Sequence, residues 1–562
     1  MTCQPVTRLP EQPLLRRSIE RAFLTILGVA HALLVRHSMR TRRSLVVLAW
    51  PLLAVACGSN ASSDFGGATA APGESGADGG ATAPGAAGEP PPEKEVESDY
   101  EAPVATGRFV WVANPKSGRV AYVDATTLQV RTIEAGNAPT YLASVPGTSG
   151  DTTLVINVLS EDATLLHADG GAITSKTFKI AKQANSLAFS SDGHYAIAWA
   201  DARKVPTAPR TEGFQDLTVL DLLAGTSTIL AVGYRPVSVG FSAGQPRAYA
   251  VTQDGVAIVQ LAAAPLVERN VPISDTPNED PGSRDVSVTP NGNVALIRRE
   301  GLATITAVAL DTGTRTTITL PGPVTDLDLA DKGDRAVAVV RSTSQVAVLP
   351  IPGVLGAPAT FTTVTVTGET IGSVALSPGG TKGLLFTNAS QVERVTILDL
   401  SQDPPPFRTV RLYSPVLAVF SAPDAAHAVV LHDKVAASGT VASSPGAFSV
   451  VPIANALPAK IVATLALPTA VAVTNDRAVV AERDDATKTF GAYLARMPQL
   501  MVERYPLASP PIAVGVVAGA KRAFIAQQHP EGRLTFIDLE TGVARTLTGF
   551  ELSSRVVDGS KP

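Results

Sequence analysis

Five histidines lie beyond residue 60, and only two of them are close together in the sequence. His427 and His432 are five residues apart in one apolar segment, and the period-two alternation of a β-strand places them on opposite faces. A metal ion needs several ligands that converge on one point. We therefore expect no shared metal site from this pair. The remaining three are isolated in the sequence: His167, His194 and His529.

Two acidic clusters have residue types that could bind calcium or act in acid–base catalysis. One is Asp484–Asp485, beside Glu482 and Arg483, and the other is Glu279–Asp280. Neither has the D-x-D-x-D-G spacing of a calcium loop. No Gly-x-Ser-x-Gly elbow or histidine-centred triad motif is present. We expect solvated loops at both places, and we predict no catalytic residue, no metal and no cofactor.

Charge and cysteine content exclude other classes of function. The net charge is -4 with a pI of about 6.0, and the basic residues are scattered, so no basic field exists to neutralise phosphates. Nucleic acid is therefore not expected as a partner. The two cysteines, Cys3 and Cys57, precede the region that we expect to fold. Disulfides and thiolate metal sites are thus excluded from that region.

Residues 39–57, MRTRRSLVVLAWPLLAVAC, have the order of a secretory signal peptide. A basic stretch precedes an apolar run from Leu45 to Ala56, and small residues precede a cysteine. The end of this segment resembles the lipobox of bacterial lipoproteins, in which that cysteine becomes lipidated. The resemblance implies lipid attachment at Cys57, although Ala54 stands where the lipobox usually has leucine. The Thr41–Leu45 string also resembles a twin-arginine export signal.

Two segments flank this signal. We expect Met39 to be the initiator and residues 1–38 to be a mis-assigned extension. Residues 58–107 are almost wholly Gly, Ala, Ser, Pro and acidic residues, and they cannot bury enough apolar surface to offset the entropy of ordering. We predict a disordered linker there. The resemblance to lipoproteins implies a cell-envelope location, with the outer membrane favoured because no aspartate follows Cys57.

Residues 108–562 contain a repeated pattern of four short strands. The first two strands of the unit align without gaps at 185–201, 284–300, 325–341 and 372–388, each with a glycine turn at Gly193, Gly292, Gly333 or Gly380. The mean repeat is about 46 residues, which is typical of a β-propeller. Ten second strands are predicted, beginning near Phe109, Thr153, Tyr195, Ala248, Val294, Ala336, Gly383, Ala428, Ala478 and Ala523.

The first complete unit, 109–145, resembles the YVTN-type repeat of WD-like propellers. Asn114, Asp124, Gly136 and Pro139 occupy the positions that this repeat marks. Later units keep an aspartate after the third strand but lose most other marks. The resemblance implies an all-β propeller with four-stranded antiparallel blades.

Blade number and closure are open at this level. Ten repeats are counted, but a seven- or eight-bladed ring with insertions, or two smaller propellers, would also fit the spacing. Segment 549–559 has the pattern of a first strand, and it would complete the blade that begins at Phe109 and seal the ring. We expect a monomeric ring.

Propellers commonly bind partners on the face where the second strands end. Polar residues at those ends are therefore the predicted ligand contacts, near the central channel. They are Asn114, Asp201, Asp254, Arg299, Arg341, Asn388, Asp433 and Arg483.

These observations favour a lipid-anchored binding or scaffolding module for envelope proteins or polysaccharides. The alternative is a propeller enzyme, because relatives of this repeat type include lactonase-like hydrolases and quinoprotein-like dehydrogenase subunits. Such an enzyme would need metal-coordinating acids and histidines, or a cofactor pocket, at the channel, and the sequence shows neither.

Overall fold

The computed structural model describes residues 102–147, 151–169, 172–204, 214–276, 278–436, 443–529 and 532–549. These residues form ten antiparallel sheets of four strands each, in sequence order around a ring. The described residues therefore form a ten-bladed β-propeller. The ring of seven or eight blades and the pair of smaller propellers are wrong. The predicted signal peptide with Cys57, most of the predicted linker and residues 550–562 lie outside the described residues.

Each blade uses four consecutive strands, and its first strand lies toward the centre of the ring. Strands β1 to β20 of blades 1 to 5 are Val104–Ala105, Phe109–Asn114, Arg119–Asp124, Val130–Glu134, Pro139–Ser144, Asp151–Asn157, Asp162–Asp169, Ala172–Lys179, Ser186–Phe189, Tyr195–Trp199, Asp216–Asp221, Thr226–Ala231, Ser238–Phe241, Arg247–Val251, Val256–Gln260, Leu266–Val271, Arg284–Val288, Val294–Arg299, Thr304–Ala309 and Arg315–Thr319.

Blades 6 to 10 repeat this order. Strands β21 to β40 are Asp326–Leu329, Arg335–Val340, Gln345–Pro350, Thr362–Thr365, Ser373–Leu376, Lys382–Phe386, Arg394–Asp399, Phe407–Arg411, Val416–Ser421, His427–His432, Ala447–Pro452, Lys460–Ala463, Leu467–Val473, Arg477–Asp484, Thr489–Arg496, Met501–Pro506, Pro511–Val517, Arg522–Gln527, Arg533–Asp538 and Ala544–Thr548. Each of the ten predicted second strands begins within two residues of the first residue of the observed strand, which is β2, β6, β10 or the equivalent strand of a later blade.

Helical structure in the described residues is confined to short turns. One α-helical turn, α1, spans Gly353–Gly356, and 3₁₀ turns span Pro281–Ser283, Arg341–Thr343 and Ala518–Ala520. None of these is long and apolar enough to cross a membrane.

The turn between the first and second strands of blade 3 is built around glycine, as the sequence predicts. Gly193 has φ 71°, a conformation that L side chains rarely adopt. A Cβ at this position would also lie 2.0 Å from the carbonyl oxygen of Pro146 in the preceding blade. The turn glycine therefore sets both the hairpin and the contact between neighbouring blades.

The aspartate that recurs after the third strand has a structural role. Asp124 Oδ1 accepts hydrogen bonds from the amides of Thr126 (2.8 Å) and Thr127 (3.1 Å), and its other oxygen pairs with Arg108. Asp538 accepts from the equivalent amides of Glu540 and Thr541. This residue therefore caps the turn that leads to the outermost strand.

The ring closes by packing between two complete blades. Val112 of blade 1 and Phe524 of blade 10 belong to one buried cluster, and the Gly519 amide donates to the Gly107 carbonyl oxygen at 3.0 Å. In blade 1, β1 pairs with β2 through Val104 and Ala105. The first strand of this blade thus comes from residues that precede Phe109 and were assigned to the linker, whereas the predicted closing segment, 549–559, lies almost wholly outside the described residues.

Candidate functional site

The eight predicted ligand contacts lie at the ends of second strands, and many of their polar atoms bind neighbouring loops. Asp201 is buried and pairs with Arg203 at 3.1 Å, while Arg203 also donates to the Val237 carbonyl oxygen in the next blade. Asn388 Nδ2 donates to the Leu417 carbonyl oxygen of its next blade at 3.2 Å. These two candidates therefore join adjacent blades.

Other candidates fix the crossover into their own blade or the loop at their own strand end. Asp254 Oδ2 accepts from the Tyr234 amide (2.8 Å) in the crossover before β13. Asn114 Oδ1 accepts from the Ser117 amide, and Asp433 Oδ1 from the Lys434 amide. The remaining three lie at or next to strand ends as predicted: Arg299, Arg341 and Arg483.

Arg299 belongs to an ion-pair network that includes the predicted acidic cluster at Glu279. Glu279 Oε1 pairs with Arg299 Nε at 2.6 Å, and Glu279 Oε2 pairs with Arg284 Nη1 at 2.5 Å. Burial alone would raise the pKa of Glu279, but hydrogen bonds from the two guanidinium groups outweigh it and lower the pKa to about 2. Asp280 caps the 3₁₀ turn that follows. A carboxylate held this firmly in its ionised form is a structural anchor.

The second acidic cluster is also structural. Glu482 is fully buried and accepts from the amides of Leu465 (2.7 Å) and Ala466 (3.0 Å), from the Tyr493 hydroxyl (3.0 Å) and from Arg504 (2.7 Å). Arg483 Nε donates to Asp485 at 2.8 Å. The expectation of solvated loops holds for the partly exposed Asp485, but it is wrong for Glu482, whose four partners lie far from it in sequence.

Both ring nitrogens of His432, one of the two neighbouring histidines, lie within hydrogen-bond distance of protein atoms. His432 is buried, with Nε2 2.7 Å from Ser449 Oγ and Nδ1 3.1 Å from the Pro415 carbonyl oxygen. Burial lowers its pKa to about 4, against the opposing effect of the backbone hydrogen bonds. His432 is therefore neutral near pH 7. Within the described ranges, no group of three or more His, Cys, Asp or Glu residues is arranged to hold a metal ion.

A cavity of about 640 Å³ lies against the first strands of blades 3 to 6. Its wall includes residues of β9, β13, β17 and β21 and the turns that follow them. Aromatic side chains such as Phe241 and Tyr195 stand beside hydroxyl groups such as Ser238 and Ser287. Among the described residues that line it, none is one of the eight predicted contacts. The strand ends that the sequence analysis favoured therefore do not form this cavity.

Strand β17 is unusually accessible on this wall. Asp285, Val286, Ser287 and Val288 are all partly exposed, whereas all four residues of β21 are buried. Thr289 donates its amide to Val294 in the hairpin with β18. Because hydrogen bonding alternates along an antiparallel pair, the amide and carbonyl groups of Val286 and Val288 point away from β18. They form a strand edge that faces the cavity.

Two blades further on, the equivalent edge is occupied by carboxylates. Asp326 Oδ2 accepts from the Val374 amide of blade 7 at 2.8 Å, and Asp328 Oδ2 accepts from the Leu376 amide at 2.9 Å. The other oxygen of each carboxylate accepts from the amide that follows it in β21, both at 2.9 Å. Asp331 binds the Gly379 amide in the same way. We name this junction of blades 6 and 7 the closed seam.

The gapless alignment of blades 5 and 7 and the matching hairpin registers of blades 4 and 6 identify the counterparts in blades 4 and 5. Val286 and Val288 correspond to Val374 and Leu376, and the positions of Asp326 and Asp328 are held by Ser238 and Gly240. Serine is short and glycine has no side chain, so no carboxylate reaches β17 from these positions. We name the junction of β13 and β17 the open seam. First-strand residue types were the sequence signal that could have located it.

Charge in the cavity wall is predominantly negative. Four carboxylates line it, with two arginines. Arg203 is paired with Asp201, and Arg284 with Glu279, and neither of these acids belongs to the wall. The wall carboxylates are Asp192, Asp285, Asp328 and Asp331.

Comparisons with known proteins show similarity in fold alone. No protein-family model and no curated protein matches the chain. A eukaryotic initiation factor is 12% identical with a TM-score of 0.46, over 80% of this chain and 98% of that one. Dihydro-heme d1 dehydrogenase NirN is 11% identical with a TM-score of 0.37, over 83% and 78%. The β-propeller domain of Myceliophteria thermophila Cps50 (Swd1) is 14% identical with a TM-score of 0.30, over 54% and 95%. At these values the neighbours carry no argument about function.

Proposed function

We propose that the protein is a membrane-anchored extracytoplasmic lipoprotein whose propeller is a binding or scaffolding module for envelope proteins or glycans. The sequence supports export and membrane anchoring. Its signal-peptide pattern ends at Cys57, and about 45 Gly-, Ala- and Pro-rich residues separate Cys57 from the ring. A flexible spacer of that length has a root-mean-square reach of roughly 35 to 40 Å. The ring can then meet partners away from the membrane surface.

The observation that carries the binding role is the cavity on the open seam. Its volume of 640 Å³ lies within the range of about 300 to 1,000 Å³ that is typical of ligand sites. It combines aromatic side chains, hydroxyl groups, carboxylates and an exposed strand edge. Of the wall carboxylates, Asp328 and Asp331 accept hydrogen bonds from backbone amides of β21 and blade 7. Recognition therefore fits this wall better than acid–base chemistry.

Anchoring is tested by fractionating cells that express the wild type or Cys57→Ser. The wild type is expected in the membrane fraction and the variant in the soluble extracytoplasmic fraction. Equal membrane recovery of both proteins would contradict lipid attachment at Cys57.

Binding is tested by a pull-down from detergent-solubilised envelopes, with retained proteins and glycans identified by mass spectrometry. Ser287→Trp places an indole in the cavity wall, and Ser175→Trp places one on the exposed outer strand β8 as the matched control. The proposal expects a specific protein or glycan on the wild type and the control, reduced at least about tenfold on Ser287→Trp. No specific retention, or equal retention by all three, would refute it.

A further inference from the structure

We infer that the open seam binds an extended peptide segment with basic side chains, which adds as a strand to the free edge of β17. The inference rests on the proposed function, because it names the class of partner that the cavity takes. It is carried by three features of the described residues: the unoccupied edge, the occupied counterpart in the closed seam, and the charge of the wall.

The closed seam shows what this edge requires. Val374 and Leu376 are buried, and their edge amides are bound by carboxylate oxygens from Asp326 and Asp328. Acceptors are thus supplied at every second residue, about 6.6 Å apart along a strand. An edge left without such acceptors is a template for pairing with another chain. Val286 and Val288 form this template in the open seam.

An extended peptide supplies acceptors at that spacing. Its carbonyl groups on one edge recur at every second residue, and its amides on the same edge can donate to the carbonyl groups of Val286 and Val288. A compact small molecule has no such repeat. Strand addition therefore satisfies donors and acceptors of β17 together.

The wall selects among peptides by charge. Its four carboxylates outnumber two arginines that are already paired with Asp201 and Glu279. Lysine or arginine side chains on the added strand would meet the partly exposed Asp285, whereas acidic side chains would be repelled. Alternate residues of the peptide would face the hydroxyl groups of Ser238 and Ser287.

The first test measures binding of labelled peptides to the purified full-length protein by fluorescence anisotropy. A short peptide of alternating valine and lysine is expected to bind about tenfold or more tightly than one of alternating valine and glutamate. Versions of the lysine peptide that are N-methylated along one edge or the other present only one intact edge, so one of them should lose binding. Full competition by spermidine, or equal binding of both N-methylated versions, would overturn strand addition.

The second test closes the seam by substitution. Ser238→Asp with Gly240→Asp introduces the carboxylate pair of blade 6 into blade 4. Ser175→Asp with Thr177→Asp adds the same charges at the same spacing on exposed positions of β8. The first pair should weaken peptide binding at least about tenfold, and the second should leave it unchanged. Equal affinities for the two variants would contradict the inference.

Hydrogen exchange on the wild type gives a test that needs no variant. Bound peptide should slow exchange at the Val286 and Val288 amides and leave Val374 and Leu376 unaffected. Absence of peptide binding, or binding without this protection, would refute strand addition. A specific envelope partner recovered in the pull-down would still support the proposed function in that case, so the two failures are distinguishable.

Discussion

The closed and open seams are two junctions of the same repeat, and they differ in whether a side chain completes the strand edge. In the closed seam, Asp326 and Asp328 bridge β21 and β25, and every residue of both strands is buried. In the open seam, Ser238 and Gly240 stand at those positions, and β17 borders a cavity. Two first-strand positions, those of Asp326 and Asp328, thus decide whether the edge of the next blade's first strand is occupied or accessible.

The difference also separates carboxyl groups that bridge two blades from a carboxylate that faces the cavity. Buried carboxylates are tolerated where they are hydrogen-bonded, and each oxygen of Asp326 and Asp328 has a backbone donor. Asp285, at the position of Asp326 in blade 5, is partly exposed and lies 3.8 Å from Arg298. Equivalent positions therefore serve packing in one seam and the cavity wall in the other.

Removing the carboxylates of the closed seam should have the largest effect. Asp326→Ala with Asp328→Ala leaves the Val374 and Leu376 amides buried without acceptors, at about 1 to 3 kcal/mol for each. We expect the free energy of unfolding to fall by about 2 to 6 kcal/mol in urea denaturation. The matched pair Asp285→Ala with Ser287→Ala, in the partly exposed β17, should cost less than about 1 kcal/mol. Similar losses for both pairs would remove the distinction between the seams.

The closed seam should also make stability depend on pH. Burial raises the pKa of Asp326 to about 8, with the Val374 amide acting in the opposite direction. Because this value is above the ordinary pKa of about 3.9, the folded state binds the proton more tightly than the unfolded chain. The contribution of protonated Asp326 to the free energy of unfolding is therefore lost as pH rises from about 4 to about 8.

This pH effect is measured by urea unfolding at pH 5 and pH 8. Asp326→Asn should reduce the fall in unfolding free energy between these values by more than about 1.4 kcal/mol, the equivalent of one pKa unit. Asp285→Asn, in the partly exposed strand β17, is the control and should change the fall in unfolding free energy by a smaller amount. An unchanged fall in Asp326→Asn would show that this carboxyl does not titrate as its burial implies.

The smallest effect is expected at the turn glycines of the two seams. Gly380 and Gly292 have φ 67° and 73°, so alanine strains both by about 1 to 2 kcal/mol. At Gly380 the added Cβ meets Ala330 Cβ at 2.8 Å, and at Gly292 it meets Ser242 Oγ at 2.1 Å. The Ser242 hydroxyl can rotate away and leave Ser242 Cβ at 3.0 Å, whereas the Ala330 Cβ at 2.8 Å has no rotation that relieves the contact.

Gly380→Ala should therefore lower the unfolding temperature more than Gly292→Ala, by the equivalent of about 1 kcal/mol. Calorimetry checks this difference. The reverse order would indicate that blade 4 packs against blade 5 as rigidly as blade 6 against blade 7.

The fold was largely predictable from the sequence because strands and turns depend on local pattern. The ten second strands and the turn glycines, such as Gly193, follow from period-two alternation and positive φ. The position of β1 could not be predicted from alternation, because Val104–Ala105 is only two residues long. It lies directly after the composition of a linker, and no alternation can develop over that length.

The candidate site was less predictable because its features depend on contacts between blades. Polar residues at strand ends are predicted to face a ligand; in the structure Asp201 pairs with Arg203 of its own loop, and Arg299 pairs with Glu279 of the crossover before β17. Glu482 was expected in a solvated loop and is buried among donors distant in sequence. The first strands do differ in residue type between Asp326 of blade 6 and Ser238 of blade 4. Recognising that these two positions are equivalent, and that Asp326 reaches the next blade, requires the strand registers of the folded blades.

The most direct test of the two seams is amide hydrogen exchange at single-residue resolution on the unliganded wild-type protein. We predict fast exchange at Val286 and Val288, which face the cavity, and exchange at least about a hundredfold slower at Val374 and Leu376, which are bound by Asp326 and Asp328. Equal protection of the two pairs would contradict this prediction, because the edge of β17 would then be as fully occupied as that of β25.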